Sequence, residues 1–366
     1  MPVVIKSGFD LRMTQTGLNH LGTGAMANGC GGRGLKRRTY SVVMKQWWAV
    51  PGENGGVPEL RDVRVPTPGF GEVLVRMAGA GVNRGELMFN RVLRIDNPKA
   101  RAVRSGIEIA GVIETLGDGV DGWFVGDRVM ARGGACHAEA ALVNAEALMP
   151  SPVGLSDVEA AAIPNVFVTA HDAIVTVAGV TAQDTVLITA GSSGVGTAAI
   201  QIVKHLGATA IATTRSPAKA AALVDLGADH VADTSSPDWL SSMVDQIGPV
   251  TCVIDQVGGD LFPGLLSALE VLGRYVSVGR NAGSVSTIDL DLVARNRLNL
   301  VGVTFRTRSP IEALECSRRF AADLWPSFDS GVLRPIVDRT FGLDDLPGAH
   351  EYMRSNAQFG KILLVP

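Results

Sequence analysis

The chain has 366 residues, of which 46% are hydrophobic and 19% are charged, and its formal net charge is -3. This length supplies enough apolar residues for two hydrophobic cores, so we expect two domains. The charge balance excludes a basic nucleic-acid-binding surface, and no apolar run reaches the roughly 18 residues of a membrane-spanning helix, so we expect a soluble protein without either partner.

The first 43 residues differ from the rest of the chain. They are rich in glycine, carry six basic residues against one acidic residue, and show no sustained helical or strand period. Two interpretations stay open: an organelle-targeting segment, which this composition allows, and a disordered extension preceding a domain that begins near Met44. We place the segment outside the fold in both cases.

Short apolar strands separated by turns follow from Gln46 to about Val143. Turn signals such as Thr67-Pro68-Gly69 and Gly117-Asp118-Gly119 separate the strands. The pattern predicts a β-rich domain. Its strands are predicted at residues 63–66, 72–77, 107–114, 128–131 and 138–143.

The pattern changes near Asp184 to alternating strands and helices, which is typical of a parallel, doubly wound α/β sheet. The first strand leads through a Gly-rich turn into a helix that Gly207 ends. A second helix is predicted from Pro217 to Gly227, with Ser216 as its cap. The strands of this sheet are predicted at residues 185–190, 209–213, 250–254 and 275–278.

These patterns divide the chain into two predicted domains. Residues 44–166 form the β-rich domain, and residues 306–366 return to it because the stretch 334–365 is again rich in strands. Residues 167–305 form the doubly wound domain. We therefore predict an α/β protein in which a β-rich domain accompanies a parallel sheet.

A Gly-rich turn joins the first strand of the doubly wound domain to its first helix. The unpaired N–H groups and the positive end of a helix at such a turn bind the pyrophosphate of a dinucleotide. Ser193 replaces the middle glycine of the usual G-x-G-x-x-G, so the prediction depends on the strand-turn-helix setting, and a turn that only packs helix on strand is the alternative. The predicted pyrophosphate-binding residues are Gly191, Ser192, Ser193, Gly194, Val195 and Gly196.

The end of the second strand indicates which dinucleotide is bound. An NAD-specific site places Asp or Glu about 20 residues beyond the turn, where it binds the ribose 2'-hydroxyl. This chain has Thr214 there, followed by Arg215, Ser216 and, one helical turn later, Lys219. Because these residues offer hydrogen bonds and positive charge to a 2'-phosphate, they favour NADPH. A helix cap with a solvated basic face is the alternative.

Further segments resemble one family when they are taken together. They are residues 79–87 (GAGVNRGEL), 106–112 (GIEIAGV), 126–129 (GDRV), 160–164 (AAAIP), 255–259 (DQVGG), 273–274 (GR) and 360–362 (GKI). From Gln46 to its C-terminus the chain resembles the zinc-free quinone oxidoreductases of the zeta-crystallin type, a branch of the medium-chain dehydrogenase/reductase superfamily.

The resemblance implies a GroES-like catalytic domain, a Rossmann cofactor domain and an active cleft between them. It also implies hydride transfer from NADPH and a cofactor site that extends beyond the turn. The resemblance assigns Thr169, Val278, Gly279 and Arg280 to the nicotinamide half, Thr304 and Phe305 to its cover, and Gly258 and Lys361 to the cofactor site. For Phe305 the alternative is core packing, and for Lys361 it is an ordinary surface position.

No metal site is expected. Zinc-dependent members of the superfamily hold their ion with cysteines and with the His of a His-Glu pair, because zinc prefers thiolate and imidazole ligands. Here the first Cys position is Asn83 and the His position is Ile107. Cys136 and His137 are neighbours, but adjacent side chains on a strand point to opposite faces.

The cysteines indicate a reducing compartment. Cys30, Cys136, Cys252 and Cys316 are widely spaced and form no C-x-x-C pair or disulfide framework. Free thiols are typical of cytoplasmic proteins, so we predict a cytoplasmic location.

Three residues are predicted to line the substrate site. Asn83 is the candidate catalytic residue, because its amide can donate to a developing oxyanion or hold the nicotinamide ribose, with a turn-forming asparagine as the alternative. Glu86 and Met88 occupy positions where the family usually has Asp and Tyr, so this side of the pocket is expected to be more apolar. Without a metal to stabilise an alkoxide, the expected acceptor is already electron-poor, and a quinone is favoured.

Other functions stay open at this level. The same residues suit a reductase of enones, 2-alkenals or enoyl thioesters, and they also suit a module that binds NADPH without turnover. The resemblance further implies a homodimer paired through an edge strand of the Rossmann sheet, either residues 271–278 or residues 298–303.

Overall fold

The computed structural model describes residues 43–89 and 93–366, apart from the side chains of Met88 and Phe89. The strands of the described residues are Val43–Val50 (β1), Val57–Arg64 (β2), Glu72–Val82 (β3), Val103–Arg104 (β4), Glu108–Leu116 (β5), Arg128–Arg132 (β6), Ala140–Asn144 (β7), Leu148–Pro150 (β8), Thr185–Ile188 (β9), Thr209–Thr214 (β10), His230–Asp233 (β11), Val250–Asp255 (β12), Leu269–Ser277 (β13), Asn299–Gly302 (β14), Val337–Gly342 (β15) and Lys361–Val365 (β16).

The helices of the same residues are mostly short. They are Arg84–Phe89 (α1), Asp157–Ala160 (α2), Pro164–His171 (α3), Gly194–His205 (α4), Ala220–Asp225 (α5), Trp239–Ile247 (α6), Phe262–Ser267 (α7), Leu290–Asn296 (α8), Pro310–Asp329 (α9) and Leu346–Arg354 (α10). A π-helical segment, Asp172–Val177, continues α3.

The C-terminal half of the chain contains a six-stranded parallel sheet with the order β11-β10-β9-β12-β13-β14. Counted within this sheet, the order is that of a doubly wound dinucleotide-binding fold. Its central strand β9 is apolar and buried because helices cover both faces of such a sheet. The predicted doubly wound sheet is confirmed.

Two further sheets consist of strands from the two ends of the described chain. One has the order β2-β1-β4, and the other has the order β15-β16-β3-β5-β6-β8, with β7 also paired to β3. Apart from the parallel β15–β16 pair, their strands pair antiparallel. Because β16 pairs with β3, the last strand of the chain completes the sheet that the first half begins.

Helices α3, α4 and α9 pack together beside the parallel sheet. Phe167 of α3 contacts Phe328 of α9 edge to face, with ring centroids 4.9 Å apart. Phe320 lies 5.9 Å from Phe328 in a similar geometry and is fully buried. Such aromatic pairs add packing energy to the area that they bury, so this cluster fixes α3, which carries site residues on its opposite side.

Several local predictions differ from the structure. Cys136 and His137 do not lie on a strand, because the chain forms a loop between β6 and β7. Ser216 stands at the cap position, but its side chain makes no capping bond, and the segment begins as a 3-10 turn, Pro217–Lys219, before α5. The strand predicted at 275–278 begins earlier, at Leu269, because its first half pairs with β12 across a bulge. Residues 1–42 lie outside the described residues.

None of the helices in the described residues is long and apolar enough to cross a membrane.

His350 of α10 is buried in the core of the seven-stranded sheet without a hydrogen-bond partner on either ring nitrogen among the described residues. Burial, and to a smaller extent the charges of His137 and Arg354, lowers its pKa to about 3. The folded protein therefore holds this imidazole neutral, whereas the unfolded chain protonates it below its ordinary pKa.

We expect His350 to make stability depend on pH. Its pKa is lower in the folded state, so its contribution is complete above about pH 6.5 and is lost as the pH falls, by about 2 kcal/mol between pH 7 and pH 5. His350→Leu should flatten this part of the profile in urea unfolding measured at both pH values. His230→Leu, at an exposed histidine, is the control, and an unchanged slope in H350L would contradict the assignment.

Candidate active site between the two larger sheets

The Gly-rich turn between β9 and α4 is shaped by its own hydrogen bonds. Ser193 is the N-cap of α4, and its hydroxyl accepts from the N–H of Gly196 at 2.9 Å. A Cβ at Gly196 would lie 2.4 Å from the carbonyl oxygen of Ala190, so only glycine fits. The Ser193 hydroxyl also donates to Oε1 of Gln256 at 2.7 Å, which ties the turn to the end of β12.

The first residues of α4 present free backbone donors. Among the described residues, the N–H groups of Gly194 and Val195 have no acceptor. A helix N-terminus leaves such groups unsatisfied and carries partial positive charge, so both observations fit a pyrophosphate. A Cβ at Gly194 would lie 2.8 Å from Cδ of Lys361, which shows how closely β16 approaches the turn.

Three cations lie near one another beyond the end of β10. Nη2 of Arg84 donates to Oδ1 of Asn356 and Nζ of Lys219 donates to the carbonyl oxygen of the same residue, both at 2.8 Å, and Arg215 interacts electrostatically with both cations. Burial and then the charge of Arg215 lower the pKa of Arg84. Burial and the charge of Arg215 also lower the pKa of Lys219, while Asp338 opposes this change. Since Arg215 is exposed and influences both neighbours, the predicted 2'-phosphate region contains an additional cation, Arg84, that sequence reasoning did not identify.

The remaining residues predicted around the 2'-phosphate are already partnered. Lys219 donates through Nζ to the carbonyl oxygens of Asn356 and Gln358, both at 2.8 Å. Thr214 accepts through Oγ1 from the N–H of Ser216 at 3.0 Å, which closes the turn after β10. Arg215 is therefore the predicted residue best placed to meet a solvent-borne phosphate.

A buried charged row crosses the end of the seven-stranded sheet. Lys361 donates through Nζ to Oε1 of Glu108 at 2.6 Å and to Oδ1 of Asn83 at 2.8 Å. The Asn83 amide donates to the same Glu108 oxygen at 2.8 Å. Glu108 is completely buried, and Lys361 is 3% exposed. Lys361 and Glu108 begin β16 and β5, Arg132 ends β6, and Asn83 follows β3. We call these three charged side chains and the neutral amide of Asn83 the charged row.

Asn165 of α3 joins the charged row to the doubly wound half of the molecule. Its backbone N–H donates to Oε2 of Glu108 at 2.7 Å, and its side-chain amide donates to Oδ1 of Asn83 at 2.8 Å. Its own Oδ1 accepts from Nη2 of Arg132 at 3.1 Å. Thr169 follows one helical turn later and is half-buried, so it lies on the same side of α3.

Asn83 is placed at the centre of this network. Besides Glu108, its amide donates to the carbonyl oxygen of Gly81 and to Oε1 of Glu86, both at 3.2 Å. Its donor hydrogens therefore already face protein acceptors. The predicted donation to a substrate oxyanion requires exchange of one of these bonds.

Glu86 and His137 extend the network beyond Asn83. Burial raises the pKa of Glu86, and the charge of His137 and the bond from Asn83 oppose this change. Nε2 of His137 lies 3.1 Å from the carbonyl oxygen of Gly81 and 3.7 Å from Oε2 of Glu86. Because a carbonyl only accepts, Nε2 carries the proton, and Nδ1 accepts from the Ser105 hydroxyl at 2.9 Å when the ring is neutral.

Apart from Thr169 on α3, the residues that the resemblance assigns to the nicotinamide half follow strands of the parallel sheet. The N–H groups of Val278 and Gly279 donate to the carbonyl oxygen of Asp255 at 2.8 and 3.0 Å. A Cβ at Gly279 would lie 2.3 Å from the carbonyl oxygen of Gln256, so the backbone there needs glycine. Gly258, Arg280 and Thr304 belong to the same strand ends, and the side chain of Met88 lies outside the described residues.

Phe305 follows β14 and is half-buried against the core beside α3. Cζ of Arg132 lies 3.5 Å from the centroid of its ring, and Cζ of Arg308 lies 5.1 Å from it. Arg308 is paired with Asp172 at 2.6 Å, whereas Arg132 has no ion pair among the described residues. The sequence contains no signal for this stack, because its members come from different sheets.

The donor set does not fit zinc. Asn83 and Ile107 stand where zinc ligands are expected, and Glu108 is already bonded to the ammonium group of Lys361. A Cβ at Gly81 would lie 2.0 Å from Oε1 of Glu108, so the carboxylate occupies space that only glycine leaves free. Within residues 43–89 and 93–366 there is no cluster of three or more His, Cys, Asp or Glu residues that could hold a metal ion.

Comparisons with known proteins show which superfamily the chain belongs to. Residues 69–177 match the alcohol dehydrogenase GroES-like domain family, and residues 194–320 match the zinc-binding dehydrogenase family. A mycobacterial protein solved in complex with NADPH superposes with a TM-score of 0.78 at 28% identity, over 88% of this chain and 100% of that chain. The chain belongs to the medium-chain dehydrogenase/reductase superfamily.

Individual relatives indicate the branch of the superfamily. The quinone oxidoreductase of Rattus norvegicus is 28% identical over 86% of this chain and 95% of its own length. The acryloyl-coenzyme A reductase of Sulfurisphaera tokodaii is 28% identical over 87% of this chain and 98% of its own. The spectinabilin polyketide synthase system protein NorB of Streptomyces orinoci is 31% identical, but the chain spans only 14% of it. Within the superfamily, the chain belongs to the zinc-free, quinone oxidoreductase-like branch.

The Glu108–Lys361 pair should be essential for stability. Lys361→Met would leave a buried carboxylate unpaired, and we expect a loss of about 3–5 kcal/mol in the free energy of unfolding, measured in urea. The double variant E108Q/K361M should recover part of this loss. Lys204→Met, which breaks the half-exposed pair with Asp229, is the control and should cost less than about 1 kcal/mol. Equal losses in both lysine variants would contradict the assignment.

Proposed function

We propose that the protein is an NADPH-dependent, zinc-independent reductase that delivers hydride to an electron-poor carbonyl acceptor, with a quinone as the leading substrate. The observation that carries the proposal is the contact between the phosphate turn and the charged row. The N–H of Gly360 donates to the carbonyl oxygen of Ser192 at 2.9 Å, and Lys361 packs on Gly194. Dinucleotide-binding backbone and buried polar side chains therefore meet at one place.

Different residues of the chain bind the different parts of the cofactor. The free N–H groups of α4 hold the pyrophosphate, and Arg215, with Arg84 and Lys219 beside it, neutralises the 2'-phosphate. When it is bound, NADPH supplies the hydride. The strand ends at Gly258, Val278, Gly279 and Thr304 orient the nicotinamide half, and Phe305 excludes water from it.

An enoyl thioester or enone reductase is the second candidate. The acryloyl-coenzyme A reductases and the polyketide synthase proteins among the relatives favour it, since their names describe reduction of a C=C bond conjugated to a thioester or polyketide synthesis. The two reactions share the cofactor and the requirement for an electron-poor acceptor. Their products separate them, because a hydroquinone is not a saturated C–C bond.

The first experiment follows NADPH oxidation at about 340 nm with 1,4-benzoquinone, 9,10-phenanthrenequinone and an enone thioester offered separately. Turnover that a chelator leaves unchanged supports the proposal, and product analysis ranks the two candidates. NADPH binding without turnover on any acceptor would instead support a binding module. Loss of activity on chelation would overturn the zinc-independent assignment.

Arg215 should set the cofactor preference. Replacing Arg215 with alanine removes a charge-assisted bond to the 2'-phosphate, so kcat/KM for NADPH should fall by about 10- to 100-fold while that for NADH is unchanged. Arg295→Ala, at an exposed arginine of α8, is the matched control. A parallel fall with both cofactors would show that Arg215 acts on folding and not on the phosphate.

We also propose that the protein forms a homodimer through β14. Residues 274–277 of β13 are paired on both sides, so β14 is the strand with a free edge on this side of the sheet. All four residues of β14 are exposed, including Leu300 and Val301. An exposed apolar edge strand favours pairing with a second copy.

We propose a cytoplasmic location for the protein. Among the described residues, three cysteines, Cys136, Cys252 and Cys316, are free and buried, and free thiols support this location.

Val301→Lys should convert the dimer to a monomer in light scattering, because a charge on the edge strand opposes pairing. Val224→Lys, at an exposed valine of α5, should keep the wild-type mass. A wild-type protein that is monomeric at all concentrations would overturn the dimer.

A further inference from the structure

Arg132 lies between the two larger sheets with a charge that no contacting carboxylate balances. It ends β6, whereas Phe305, on whose ring it stacks, follows β14 of the parallel sheet. Among the described residues its Nε is buried without an acceptor, and its Nη2 bonds only to the neutral amide of Asn165. Burial lowers its pKa to about 10, so it remains a cation at neutral pH.

Glu108, the carboxylate of the charged row, already accepts hydrogen bonds through both of its oxygen atoms. Glu108 is the cross-strand partner of Arg132 in the β5–β6 register. Its Oε1 accepts from Lys361 and Asn83, and its Oε2 accepts from the N–H of Asn165. The row therefore contains one direct anion–cation pair and one additional cation. Arg132 is half-buried, and a cation that is largely removed from water without a contacting anion is unfavourable unless a ligand supplies negative charge.

Arg132 lies where a reductase needs positive charge, beside the region proposed for the nicotinamide. Arg132 is linked through Asn165 to the face of α3 that carries Thr169, and it lies on Phe305, so it borders the region assigned to the nicotinamide half. In zinc-dependent relatives the metal stabilises negative charge that develops on a carbonyl oxygen. The donor set here does not fit zinc, and a preorganised guanidinium in a dry site provides the same stabilisation.

We propose that Arg132 is a catalytic residue that binds the carbonyl oxygen of the acceptor and stabilises the oxyanion formed by hydride transfer. This inference rests on the proposed reductase function. The acceptor is reduced when one of its carbon atoms receives a hydride, with its electron pair, from the nicotinamide, which is oxidised. The displaced π electrons collect on the carbonyl oxygen, where the half-buried guanidinium of Arg132 donates a hydrogen bond. A solvent proton then neutralises the oxygen.

The first test needs no cofactor. 4-Nitrophenol carries a phenolate oxygen like that of a hydroquinone anion, and its ionised form absorbs visible light. Wild-type protein should bind the phenolate in preference to the neutral phenol, R132M should lose this preference, and R132K should retain part of it. Arg128→Met, on the same strand with an exposed ion pair to Asp157, should bind like the wild type. Equal phenolate binding by R132M, or none by the wild type, would overturn the proposal.

Turnover and stability give independent checks. With quinones as acceptors, R132M should lower kcat by about 100-fold with a smaller change in KM, because the interaction strengthens as charge develops. R132M should also unfold at the same or a higher temperature than the wild type, since it removes an unbalanced buried charge. A clear fall in melting temperature would assign Arg132 a structural role and contradict the proposal. If the wild type turns over no acceptor, the reductase function fails, while phenolate binding still tests the oxyanion site.

Discussion

The Glu108–Lys361 ion pair is the contact on which the arrangement of the site depends. Glu108 begins β5 and Lys361 begins β16, and β3 lies between these strands, so the pair closes the end of the sheet over Asn83. Both groups are almost completely removed from water. Two such charges are tolerated in a protein interior only when they are paired and their remaining bonding positions are filled, and here neutral amides fill them.

The same pair connects the two halves of the molecule. The aliphatic part of Lys361 packs on Gly194 in the phosphate turn, and Glu108 accepts from the backbone of Asn165 in α3. Both α3 and α4 pack on the parallel sheet, so the lysine that balances the carboxylate also sets the distance between the turn and the charged row. A cofactor held by the turn is thereby presented to side chains from the other sheet without a flexible connection.

Local patterns could predict the parts of the structure that depend on local chemistry. The phosphate turn, the strand before it and the helix that Gly207 ends follow from short-range periodicity and small residues. The charged row could not be predicted, because Glu108 meets Arg132 and Lys361 only through strand register over long separations in sequence. The strand predicted at Cys136 is a loop for the same reason, because its backbone hydrogen bonds are made to distant segments and do not follow from the alternation of polar and apolar residues.

The charge arrangement of the site depends on two neutral amides: Asn83, which stands at a position where a zinc ligand is expected, and Asn165 of α3, which bonds to it. Asn83 and Asn165 carry no charge, so they cannot bind a divalent ion tightly, but each amide both donates and accepts and can link charged groups into one network. Their neutrality leaves Glu108 to balance Lys361 alone, and Arg132 remains as the uncompensated cation at the cleft. The site thus keeps a positive charge beside the region proposed for the nicotinamide, and strand register places this charge.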